Sequence, residues 1–188
     1  MGLKLISEHL NGLIVFQPDV FEDKRGFFME SFRADEFEKL SLPTDFIQDN
    51  HSRSIKGVLR GMHFQWDKPQ GKLIRVTLGS CLVVEIDIRK GSPSFGKWFG
   101  IELNAKNKKM LWVPPGFANG FYTLSDWAEM QYKCTAFWNK NGESSISWND
   151  PKIAIDWGTT DPIISDKDKN AQSLEEWLDK EESEYFRY

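Results

Sequence analysis

Histidine is scarce in this chain, cysteine is scarcer, and no apolar run approaches the roughly 18 residues of a membrane span. Only His9, His51 and His63 are available as imidazole ligands, and they are too far apart in sequence to form a histidine-based metal set. Cys81 and Cys134 sit in separate apolar runs, without a paired metal motif, and read as two buried free thiols. The formal charge of −4 gives no overall attraction for nucleic acid or an anionic membrane. The first residues lack the apolar core of a secretory leader. There is no glycine-rich phosphate loop before a helix and no nucleophile elbow. A cytoplasmic protein with neither nucleic acid nor membrane as partner is expected.

Aromatics are abundant, with 8 Trp and 14 Phe in 188 residues, enough for a sizeable core and for pocket walls. Short apolar runs recur with turn residues between them. Leu13–Phe16 ends at Gln17-Pro18-Asp19, and Gly26–Phe32 follows a charged loop. Lys72–Leu78 meets Gly79-Ser80, and Cys81–Ile88 breaks at Gly91-Ser92-Pro93. Trp98–Leu103, Met110–Val113, Gly120–Leu124 and Glu129–Thr135 complete the series. This spacing predicts an all-β sandwich or barrel. Helix is expected only over 34–40 and after Ser173, where Glu176 completes a capping box. One domain is expected over 1–188, with its core at about 13–168 and a C-terminal helix and tail over 173–188. The charge run Asp179–Glu184 reads as a solvated end that frays.

The densest chemistry lies in Gly57–Gln65 and Gln70–Leu73. His63 sits on a strand-like segment between Arg60 and Lys72, and histidine is the side chain best matched to proton transfer near neutral pH. Two cations nearby suit an anionic ligand or a developing negative charge. Gln65–Gly71 reads as a loop that returns Lys72 on the strand next to His63. Arg60, three residues from His63, has the opposite strand parity and reaches the same face only through a bulge or the strand's twist. Tyr132 shares parity with Met130 and Cys134, so its phenol faces an apolar interior and suits a general acid opposite a histidine base. A carboxylate from Asp166 or Asp168 would fix the histidine tautomer; spacing does not choose between them.

These segments together resemble the dTDP-4-dehydrorhamnose 3,5-epimerase family. The resemblance is carried by Asp23–Glu30, Gln48–Ser52, Gly57–Gln65, Gln70–Leu73, Asp87–Gly96, Trp112–Ala118 and Trp148–Pro151, and it runs from about 13 to 168. It implies a double-stranded β-helix, that is, a cupin-like jelly-roll barrel with short peripheral helices. It implies a homodimer that exchanges N-terminal strands, a nucleotide-sugar substrate, and neither metal nor other cofactor. His63 then matches the general base, Asp168 its carboxylate partner, Lys72 the group at the keto oxygen and Tyr132 the general acid. Arg25, Phe28, Glu30, Gln48, Asn50, Arg60, Asn119, Trp138, Glu143 and Lys167 match substrate-binding positions. The implied reaction converts dTDP-4-dehydro-6-deoxyglucose to dTDP-4-dehydrorhamnose through an enolate, most often for rhamnose-containing polysaccharide. Asn119 stands where the family pattern has histidine, and Phe137-Trp138 where a tyrosine pair is common. Epimerisation at a single centre, or sugar-nucleotide binding without catalysis, are the alternatives.

Overall fold

The computed structural model describes residues 2–188. The strands, in chain order, begin with β1 (Leu3–His9), β2 (Leu13–Pro18), β3 (Val20–Asp23) and β4 (Gly26–Met29). Helix α1 (Ala34–Lys39) separates these from β5 (Gln48–Ile55), β6 (Leu59–Gln65), β7 (Lys72–Leu78) and β8 (Ser80–Asp87). Next come β9 (Trp98–Asn104), β10 (Met110–Val113), β11 (Phe117–Thr123), β12 (Trp127–Cys134) and β13 (Glu143–Ser145). Helices α2 (Asp166–Lys169) and α3 (Leu174–Leu178) close the chain.

The strands form a six-stranded sheet, β1-β2-β10-β7-β12-β5, and a five-stranded sheet, β13-β6-β11-β8-β9. Strands β3 and β4 form a separate ribbon. The two large sheets pack face to face over Leu13, Val15, Ile74, Val76, Val83, Leu111, Phe121 and Met130. This is the jelly-roll barrel of the cupin type that the resemblance implied.

Both sheets are covered on the outside as well. Phe16, Leu73, Met110 and Trp112 meet Phe37 and Leu42 on one outer face. Met62, Phe64, Val84 and Ile86 meet Leu174, Trp177 and Phe186 on the other. Burial on two faces explains why β8 reads as a nearly continuous apolar run rather than an alternating one. Six residues are too few for α1 to be stable alone. The helix is held by Phe37, 1% exposed and edge-on to Phe16, whose burial contributes about 1.5–3 kcal/mol.

Two expectations need correction, and four strands went unread. The loop after His63 does not return Lys72 on a neighbouring strand: β6 and β7 belong to opposite sheets, so the chain crosses the barrel. The C-terminal charge run does not fray. It winds into a 3-10 turn over Glu181–Tyr185, and Phe186 is 4% exposed and bonded through its backbone to Lys90. A buried aromatic outweighs the solvation of its charged neighbours. Finally, β1, β3, β5 and β13 were not legible as strands. In β5 the sequence Gln48–Ile55 is almost wholly polar, and only pairing with β12 makes it a strand.

Candidate functional site

Register places the titratable side chains. On β11, Phe117 and Phe121 face the barrel core, so Asn119 between them does too. Asn119 is the Cα partner of His63 on β6 and of Glu85 on β8. From the facing sheet, Lys72 shares parity with the core residues Ile74 and Val76, and Tyr132 with Met130. Gln48 and Asn50 pair in register with Cys134 and Tyr132, which brings them to the same side.

Arg60 joins this face by the bulge its parity demanded. Asn119 pairs with His63 and Phe121 with Arg60, so β6 spends three residues where β11 spends two. Gly61 lies in the bulge at φ +139, and a Cβ there would meet Gly120 Cα at 2.5 Å. The bulge therefore needs glycine at its closest approach.

His63 and Asp168 are joined by a 2.6 Å bond between Nε2 and Oδ1. Of the two candidate carboxylates, Asp168 is the one that reaches the histidine; Asp166 is paired with Lys169. Asp168 is 3% exposed. Burial pushes its carboxyl up, but the His63 hydrogen bond and charge, the Ser165 hydroxyl and the Gly61 N–H outweigh it and hold the group below the usual aspartate range. An ionised carboxylate only accepts, so Nε2 carries the proton and Nδ1 is the free basic nitrogen. A charge-assisted bond of this kind contributes about 1.5–3 kcal/mol.

Lys72 lies across the barrel, its ammonium 6.0 Å from the centre of the Tyr132 ring. Burial lowers its pKa, against the opposing pull of Glu85, Cys134 and Glu143. Burial, with Cys134, pushes the Tyr132 phenol up, so it keeps its proton at neutral pH. The interior thus presents a base on one wall and a cation and a weak acid on the facing one.

Polar residues ring the mouth. Lys167 pairs with Glu143 at 2.6 Å. Gln48 accepts from the backbone N–H of Trp138 at 2.8 Å and donates to Asn50 at 3.2 Å. Arg60 donates to Ser54 at 3.2 Å, and with His63, Lys167 and Asp168 it lines a groove of about 360 Å³. Trp138 is 56% exposed, its ring free to stack.

Three expected site residues stand apart in the single chain. Arg25 pairs with Asp23, Phe28 is 60% exposed, and Glu30 pairs with Arg33 at 3.4 Å. Arg25 and Phe28 are on the β3–β4 ribbon and Glu30 just follows it, outside both large sheets. Sequence reasoning missed Glu85, 0% exposed and the partner of Asn119. The signal was present: a lone carboxylate inside Leu82-Val83-Val84-Glu85-Ile86, sharing parity with Cys81 and Val83.

Two antiparallel sheets closed over a titratable interior define a cupin-like jelly-roll barrel with acid–base side chains at one mouth. The family model described as dTDP-4-dehydrorhamnose 3,5-epimerase matches residues 7–176, and the chain belongs to that family. It is 50% identical to the dTDP-4-dehydrorhamnose 3,5-epimerase of Pseudomonas aeruginosa, over 86% of this chain and 91% of that protein. It is 49% identical to the enzyme of that name from Shigella flexneri, over 92% and 96%. The structure superposes with a TM-score of 0.92 on the dTDP-6-deoxy-D-glucose-3,5-epimerase of Legionella pneumophila, crystallised with dTDP-4-keto-L-rhamnose. That pair shares 44% identity over 99% of this chain and 98% of the other.

Proposed function

We propose that this chain epimerises dTDP-4-dehydro-6-deoxyglucose at carbons 3 and 5, giving dTDP-4-dehydrorhamnose. The observation that carries the reading is the His63–Asp168 bond at 2.6 Å, facing Lys72 and Tyr132 across one interior. A proton beside a ketone is weakly acidic, and its loss places charge on the carbonyl oxygen. His63, held in one tautomer by Asp168, takes that proton through Nδ1. The Lys72 ammonium stabilises the enolate oxygen. Tyr132, on the other sheet, returns a proton to the opposite face, and removal and return on opposite faces invert the centre.

Arg60 and Lys167 would meet the diphosphate, with Lys167 leaving Glu143 to do so. Gln48, Asn50 and Glu143 would hold the nucleoside and sugar, and Trp138 would stack on the base. Arg25, Phe28 and Glu30 are too far outside their own barrel to serve it. A homodimer exchanging N-terminal strands would deliver them to the partner's mouth, which also accounts for the exposure of Phe21, Phe27 and Phe28.

The test is NMR of dTDP-4-keto-6-deoxyglucose incubated with the protein in deuterated water. Deuterium at carbons 3 and 5 is expected, and His63→Ala should abolish both exchanges while remaining folded. Retained exchange in His63→Ala would remove the histidine from its role. Asn119, which cannot carry a charge or shuttle a proton, favours a second reading in which one centre is inverted. Deuterium at a single ring carbon would establish that reading instead.

A further inference from the structure

Strand β8 carries two carboxyl groups at 0% exposure, two residues apart, and they are treated in opposite ways. Asp87 accepts from the Arg89 backbone N–H and Nε at 3.0 and 2.9 Å and from Arg89 Nη2 at 2.8 Å. It also accepts from the Ser92 and Ser94 hydroxyls at 2.5 and 2.7 Å. Its charge is fully compensated, and it is a structural tie. Glu85 accepts from Asn119 Nδ2 through Oε1, and its Oε2 has no partner among the described residues. Buried polar atoms are nearly always satisfied, so an orphaned carboxyl oxygen in the barrel interior needs a reason beyond folding.

The surroundings supply one. His63, Asn119 and Glu85 are Cα partners in succession across β6, β11 and β8 and form one row across the sheet. Because Asn119 gives its amide nitrogen to Glu85, its carbonyl oxygen Oδ1 is the end left for a donor on the His63 side of the row. A sugar hydroxyl is such a donor. Opposite the row, the Lys72 ammonium makes no hydrogen bond or ion pair among the described residues.

We infer that Glu85 is a positioning residue of this site: it fixes the Asn119 amide so that Oδ1 accepts from a substrate hydroxyl. The inference rests on the epimerase reading above. Burial raises Glu85 well above the glutamate range, against the opposing pull of Lys72 and Asn119. Lys72 also faces Cys134 from β12 and Glu143 from β13. Tyr132, His63, Asp168, Arg60 and Lys167 are the other titratable and charged groups described at this mouth.

Glu85→Gln keeps the shape and an acceptor for Asn119 but removes the charge. Steady-state epimerisation and Tm are measured for it and for the parent chain across pH. An amide can donate as well as accept, so Glu85→Gln no longer fixes which end of Asn119 faces the substrate, and we expect kcat to fall at least tenfold. Glu85→Asp, which keeps a carboxylate for the Asn119 amide, should recover part of that loss. Tm supplies a readout independent of turnover. A carboxyl whose folded pKa is raised contributes stability that is present below the ordinary glutamate pKa and lost as pH rises through the folded value. The Tm of Glu85→Gln relative to the parent should therefore increase with pH. A lower Tm at every pH with kcat and its pH profile unchanged would make Glu85 a structural residue and overturn the inference. If the parent chain itself exchanges no proton of dTDP-4-keto-6-deoxyglucose, the epimerase reading falls and takes this inference with it.

Discussion

The two ends of the barrel interior are built from the same strands with opposite chemistry. Along β7 the inward residues pass from Val76 and Ile74 to Lys72; along β8, from Cys81 and Val83 to Glu85; along β12, from Met130 to Tyr132. The apolar end is dry and interlocked, with Ile74, Val83 and Leu111 all at 0% exposure. The polar end holds a half-buried histidine, a lysine ammonium near the Tyr132 ring, and a glutamate with one oxygen unpartnered among the described residues. A closed apolar end holds the strands in register. That fixed register is what lets the polar end place unlike groups on facing walls and keep them incompletely satisfied. Stability and chemistry are thus divided along each of these three strands by a step of two residues.

The sharpest way to test this division is at the His63–Asp168 pair. Asp168→Asn removes the negative charge that selects the tautomer and stabilises the imidazolium, and kcat should fall by about 10²–10⁴. Circular dichroism should show the fold intact. A fall in kcat below tenfold would mean that His63 does not depend on its carboxylate.

At the other end, Ile74→Ala should cost about 2–5 kcal/mol of stability, read from denaturant midpoints. The kcat per folded molecule should stay within twofold. A large change in kcat would show that the two ends are mechanically coupled, and the division would fail.

The smallest effect concerns acid stability. Asp168 has a folded pKa below its unfolded one, so its contribution is fully present above the ordinary aspartate pKa, about 3.9, and is lost as pH falls through the folded value. The stability difference between the parent chain and Asp168→Asn should therefore narrow below about pH 4. A constant difference down to pH 2 would mean that the lost stability is packing and not charge.

Parity and turn chemistry made much of this legible. The inward direction of Tyr132 followed from Met130 and Cys134, and the bulge needed by Arg60 was implied by its three-residue offset from His63. The capping box at Ser173 and Glu176 is present as read. Strand partners were another matter. The loop after His63 looked like a hairpin, yet it carries the chain from one sheet to the other, as does the turn between β11 and β12. A turn residue signals a reversal of direction and says nothing about which strand lies alongside. Polar β5 was invisible because its alternation carries no hydrophobic signal, although it supplies Gln48 and Asn50.

What the sequence determined by itself was the inventory: an all-β chain, a histidine on a strand, inward parity for a tyrosine, and ordered motifs that carry the family resemblance. Local chemistry sets these, because alternation and turns depend only on neighbours in the chain. What the tertiary structure decided was company. Asp168 rather than Asp166 meets His63, Lys72 faces the histidine from the opposite sheet, and Glu85 stands beside Asn119 with an oxygen to spare. Those pairings span 105 residues in the first case and 34 in the last, and only closure of the two sheets over a common core brings such distant positions within hydrogen-bond reach.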